Sequence, residues 1–123
     1  MLAQNLYRKI SAKTAAYQIV PNDIGTLFTN AGATAAVTLT LPTVADLTVG
    51  WWCRFYVVAD QSLTIASAGS SDNIAAFNDL TADSIAFSTS GEKIGAGGEL
   101  VWDGTQWLAF LNLGNDAQTP TVA

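Results

Sequence analysis

The chain has 123 residues, enough for one domain around one core. Half of it is hydrophobic and only 12% is charged, with a net charge of −5. A typical soluble domain is about 25% charged, so surface hidden against other subunits is expected. There is no histidine, which excludes the commonest general base, the Ser-His and Cys-His nucleophile pairs and most zinc sites.

The leader, residues 1–14, carries Leu2, Leu6 and Ile10 at every fourth position. That spacing fits one short helical face, too short to be stable alone. The segment is read as an N-terminal arm, either extended or helical only on a partner. It has no basic segment followed by an apolar core, so no signal peptide is expected. It also holds Arg8, Lys9 and Lys13, three of the five basic residues. The remainder, with two basic and ten acidic residues, carries −8. An acidic body argues against nucleic acid, whose phosphates need a basic face. The basic arm either docks onto an acidic neighbour or solvates a loose terminus. No apolar run approaches the roughly 18–20 residues of a membrane helix, and no membrane partner is expected.

Residues 15–115 read as one β domain. Ala16 to Val20 is a short strand with Tyr17 and Ile19 on one face. Turn residues Pro21-Asn22-Asp23-Ile24-Gly25 lead to a strand at Thr26 to Thr29. Asn30-Ala31-Gly32 turns again into Thr34 to Leu41, where Val37, Leu39 and Leu41 alternate with Thr38 and Thr40. The apolar face of that strand belongs in the core; the threonine face meets solvent or a neighbouring subunit. In Trp51 to Ala59, Trp51, Cys53, Phe55 and Val57 share one face, and Trp52, Arg54, Tyr56 and Val58 the other. Arg54 marks the second face as wetter, yet Trp52 and Tyr56 leave it strongly amphipathic.

Leu63-Thr64-Ile65 is a further strand, and Ser67 to Asn73 an exposed loop. Ser84 to Ser88 places Ile85 and Phe87 inward. Gly95, Gly97 and Gly98 mark a bulge or a close backbone approach. Asp103-Gly104 between two apolar runs is a hairpin signal. A two- or four-residue loop sets Trp102 and Trp107 on one face; a three-residue loop separates them. Leu108 and Phe110 oppose Trp107, Ala109 and Leu111, so this strand is buried on both sides or feeds an interface. Residues 116–123 form a C-terminal tail expected to fray. The fold class read from these elements is all-β: a single antiparallel β-sandwich or β-barrel, with a jelly roll among the possibilities.

Catalytic chemistry finds little purchase. The acids fall mainly at turns, where Asp is favoured for backbone reasons. Asp72, Asp79 and Asp83 lack the spacing of a calcium loop. The glycines at 95–98 are not followed by Gly-Lys-Ser/Thr and a helix, so they do not form a phosphate cradle. Cys53, the sole cysteine, sits in an apolar run and reads as a small buried hydrophobe. No catalytic residue, cofactor or metal ligand is assigned, and an enzyme is not expected. The four Trp and the Tyr residues would suit glycan stacking, although core and interface roles are commoner.

The run Asp23-Ile24-Gly25-Thr26-Leu27-Phe28-Thr29-Asn30-Ala31-Gly32-Ala33-Thr34, followed by Leu39-Thr40-Leu41-Pro42, resembles small β-rich virion structural proteins of tailed bacteriophages. These occur as capsid decoration (cement) proteins and as fibre or tail modules. Asp60-Gln61-Ser62-Leu63-Thr64-Ile65, Gly91-Glu92-Lys93-Ile94-Gly95 and Asp103-Gly104-Thr105-Gln106-Trp107 extend the likeness over roughly residues 17 to 115. The resemblance implies a non-enzymatic, oligomeric protein that binds other virion proteins, without saying which role; the apolar, charge-poor body with its basic arm favours a capsid decoration protein, expected to be a homotrimer, on the outer surface of the capsid. Its partner would be the major capsid protein. Leu2, Leu6, Arg8, Lys9 and Ile10 are the candidates for shell docking. Trp52, Tyr56, Leu108 and Phe110 are the candidates for the subunit interface. The alternative is a fibre or spike module that binds a host-surface glycan through exposed Trp or Tyr and the loop from Ser67 to Asn73. The start at Met1 favours a stand-alone decoration protein.

Overall fold

The computed structural model describes residues 8–114 and 117–123. These residues are β-rich and almost without helix: among them, two one-turn 3₁₀ segments, Pro21–Asp23 and Val44–Asp46, interrupt twelve strands. The strands are β1 (Lys9–Ala12), β2 (Tyr17–Gln18), β3 (Thr26–Thr29), β4 (Val37–Thr40), β5 (Trp52–Tyr56) and β6 (Leu63–Ala66). They continue as β7 (Ile74–Ala76), β8 (Asp79–Ala82), β9 (Ser84–Phe87), β10 (Gly97–Trp102), β11 (Trp107–Asn112) and β12 (Thr121–Val122). One sheet has seven strands in the order β1-β3-β5-β10-β11-β7-β8; the other has five, β12-β9-β6-β4-β2.

Both sheets are mixed, which corrects the antiparallel expectation. The pairs β1–β3, β3–β5, β2–β4, β4–β6 and β11–β7 are parallel. The cause is how the first half of the chain is wound. It alternates sheets at every strand from β1 to β6, so β2 is the excursion between parallel neighbours β1 and β3, β3 that between β2 and β4, and so on. Parallel neighbours need a crossover connection, and here the crossover is a strand of the opposite sheet. The small-residue segments read as turns between strands are therefore arches between sheets. In the segment after β3, Asn30 is fully buried and its side chain ties that arch to the one after β5. Its Oδ1 accepts from the Val58 and Ala59 N–H at 2.7 and 2.8 Å, and its Nδ2 donates to the Ala59 and Gln61 carbonyls at 3.1 and 3.3 Å.

The core draws on both sheets. Phe55 and Phe87, one from each, lie 6.1 Å apart, and Tyr17 and Phe28 bridge the sheets at 5.8 Å. Val37, Leu39 and Leu41 are buried and Thr38 exposed, as their alternation predicts. Trp51, Cys53, Phe55 and Val57 are likewise buried. The Asp103 turn closes a four-residue loop, so Trp102 and Trp107 are directly opposite with ring centroids 5.4 Å apart. Burying a large apolar side chain contributes about 1.5–3 kcal/mol, so these rings are a main source of stability. At the ends, residues 9–12 add an edge strand to the larger sheet, and β12 pairs with β9, with buried Gln118 donating to the Glu92 carbonyl at 2.6 Å.

Candidate interaction face

A strand turns alternate side chains to opposite faces, and residues paired in register share a face. In the seven-stranded sheet this fixes three rows on the side away from the core. One row runs Ile10, Leu27, Arg54, Glu99, Phe110. A second runs Ala12, Thr29, Tyr56, Gly97, Asn112. A third holds Trp52, Val101, Leu108 and Ala75. The opposite parity, with Phe28, Cys53, Phe55, Leu100 and Trp107, is the buried one.

Five residues singled out from the sequence thus meet on one surface. Ile10 is 68% exposed, Tyr56 44% and Phe110 59%, while Trp52 and Leu108 are half-buried. The structure does not separate a docking set from a subunit set, because Ile10 lies in the same row as Phe110. Arg8 and Lys9 are exposed beside it. Leu2 and Leu6 lie outside the described residues. Sequence reasoning missed Leu27, Glu99 and Val101 as members of this face. The only signal for them was alternation within their own strands, and the strand order that joins them is not local information.

The surface is shaped by glycine. A Cβ at Gly97 would overlap the Phe55 carbonyl, and one at Gly98 the Phe110 carbonyl, so β10 must be bare where β5 and β11 press against it. An open depression results, bounded by Arg54, Gly98, Glu99, Phe110, Leu111 and Asn112. Trp52 is held from the side: a Cβ at Gly25 would come within 3.5 Å of its ring. At the rim, Phe77 is 55% exposed at a positive φ of 46°, in a two-residue turn with Asn78 at 66°. Bulky residues rarely adopt that conformation.

Elsewhere the titratable groups serve local structure. Burial pushes the Cys53 thiol up to about 12, with Asp23 and Glu99 adding repulsion. Asp103 accepts from the Thr105 and Gln106 N–H groups at 2.8 Å, which holds its carboxyl below its ordinary value. Asp72 is raised by its hydrogen bond with Asp83 and by that neighbour's charge. In the loop from Ser67 to Asn73, the Ser71 N–H donates to Ser67 Oγ and the Asp72 N–H to Asp83 Oδ1. Among the described residues no group of three or more His, Cys, Asp or Glu is placed to hold a metal ion. No described helix is long and apolar enough to cross a membrane.

No family model and no curated protein matches this chain.

Proposed function

We propose that the chain is a virion structural protein of a tailed bacteriophage that decorates the outer capsid surface as a homo-oligomer. In this reading it stabilises the shell by bridging major capsid subunits and performs no catalysis. The two sheets are taken as layers of a sandwich, with Phe55 against Phe87 between them. The carrying observation is a contiguous amphipathic face on a charge-poor chain: Ile10, Leu27, Trp52, Tyr56, Leu108 and Phe110 on one side of one sheet. Surfaces of that kind are characteristic of protein contacts, and repetition over a shell adds avidity to each. The three basic residues Arg8, Lys9 and Lys13 at the edge of an acidic body supply an orientation for docking on acidic shell surface.

The test is co-sedimentation of purified protein with expanded capsids. Removing residues 1–14 would also remove β1, so the charge-reversed Arg8→Glu/Lys9→Glu chain is the cleaner probe. Weaker, salt-insensitive binding by that variant is expected. Unchanged shell binding by both this variant and Phe110→Asp would rule out both parts of the docking surface. The glycan-binding alternative rests on the open depression, where exposed Phe110 adjoins Arg54, Glu99 and Asn112. Signal on a glycan array, with no capsid binding, would favour it.

A further inference from the structure

We propose that the outer face of the seven-stranded sheet binds a second copy of this chain, across a two-fold axis running along the strands between β5 and β10. The proposal deepens the reading of this face as a subunit contact. It replaces the homotrimer expected from the sequence with a two-fold dimer.

The argument is self-complementarity. An axis in that position exchanges β5 with the partner's β10, and β3 with the partner's β11, while keeping each row at its own level. Arg54 then faces the partner's Glu99, and Glu99 the partner's Arg54. Leu27 faces the partner's Phe110, apolar on apolar. In the next row Tyr56, 44% exposed, faces the partner's Gly97, where no side chain stands. Trp52 faces the partner's Val101. Each match follows from the registers of β3, β5, β10 and β11. An axis half a strand to either side breaks them: on β5, Arg54 meets the partner's Arg54, and on β10, Glu99 meets the partner's Glu99. Within one chain Arg54 and Glu99 are register neighbours, and among the described residues the ion pair within 4 Å is instead Lys93 with Asp60.

The size fits. Six strands about 4.8 Å apart and five residues deep at about 3.3 Å each give a flat footprint of about 500 Å² before side-chain relief. A standard interface takes about 800 Å² per partner. Two such faces would pack about 10 Å apart with a modest rotation from sheet twist. An isologous contact of this kind closes at two copies.

The experiment is sedimentation equilibrium on the full chain without capsids, with near-UV circular dichroism to confirm folding. Wild type is expected to dimerise at micromolar concentration. Arg54→Glu sets a second carboxylate against the partner's Glu99, twice per dimer, and Glu99→Arg makes the reciprocal repulsion between guanidinium groups. Each alone is expected to dimerise on the order of a hundredfold more weakly. An equal mixture of the two variants pairs every charge with its opposite, so heterodimers should return at near wild-type strength. Should either variant lose its fold, Tyr56→Asp takes its place as the disrupting substitution, with the same expected loss of dimer. A wild-type monomer at about 100 μM, a trimer, or variants that stay dimeric singly or fail to complement each other would overturn the proposal. A monomeric wild type that still binds capsids would sink the two-fold contact and leave the decoration reading standing.

Discussion

Cys53 shows how position sets chemistry at the scale of one residue. Its thiol is 1% exposed and pushed up to about 12 by burial, from a reference of 9.0. The unfolded chain loses this proton near its ordinary value while the folded chain keeps it. Stability therefore falls as pH rises from about 9 towards 12, and is unaffected by this group below that range. Thiol-reagent labelling at pH 8 should track global unfolding; fast labelling of the native protein would contradict the burial. Asn30 is the other residue on which much rests. Asn30→Ala would strand the Val58 and Ala59 N–H groups away from their acceptor. The expected cost is about 3 kcal/mol, read as a drop in the urea midpoint at unchanged slope.

Among the elements, β10 is the least tolerant. Gly97→Ala drives a methyl into the Phe55 carbonyl, and backbone must move to admit it. A loss of about 2–4 kcal/mol is expected, with insoluble expression if the total stability is at the low end of the usual range. A soluble Gly97→Ala chain of wild-type thermal midpoint would show that β10 is not pressed against β5. The adjoining hairpin depends on Asp103, whose carboxyl is held below its ordinary value by backbone N–H donors. The sign follows directly: its stabilising effect is full above the usual carboxylate range and is lost as pH falls through the lowered folded value. Asp103→Ala should thus be destabilised at neutral pH and converge on wild type in strong acid. Thermal melts across pH 2 to 7 check this.

For the whole molecule, the two sheets share one core while the larger sheet turns an amphipathic face outwards. Phe87→Ala would open a cavity where the sheets meet, costing about 3–5 kcal/mol, whereas Phe110→Ser on the outer face should leave the melting temperature near wild type at concentrations too dilute for dimers. The contrast separates core from contact surface. In the two-fold dimer the second substitution appears only in the association constant. An equal loss of stability at both positions would mean that Phe110 is structural.

How much was legible in the sequence follows from the range of each interaction. Alternation of Val37, Leu39 and Leu41, and of Trp51 through Val58, is local, and it gave the right buried faces. Asp103-Gly104 gave the hairpin. The close approach at Gly97 and Gly98 was signalled because only glycine fits such a place. The sequence by itself therefore determined an all-β chain, its inward-facing residues and an unusually apolar, charge-poor surface. Which strands lie side by side was beyond it. An arch between sheets and a hairpin within one draw on the same small and turn-forming residues, so Asn30-Ala31-Gly32 read equally well as either. Only tertiary structure decided that the chain alternates sheets, that neighbours are parallel, and that Ile10, Leu27, Arg54, Glu99 and Phe110 form one row. The reason is physical: within a strand the side-chain period is set by the backbone, but strand order is set by which distant apolar faces bury one another.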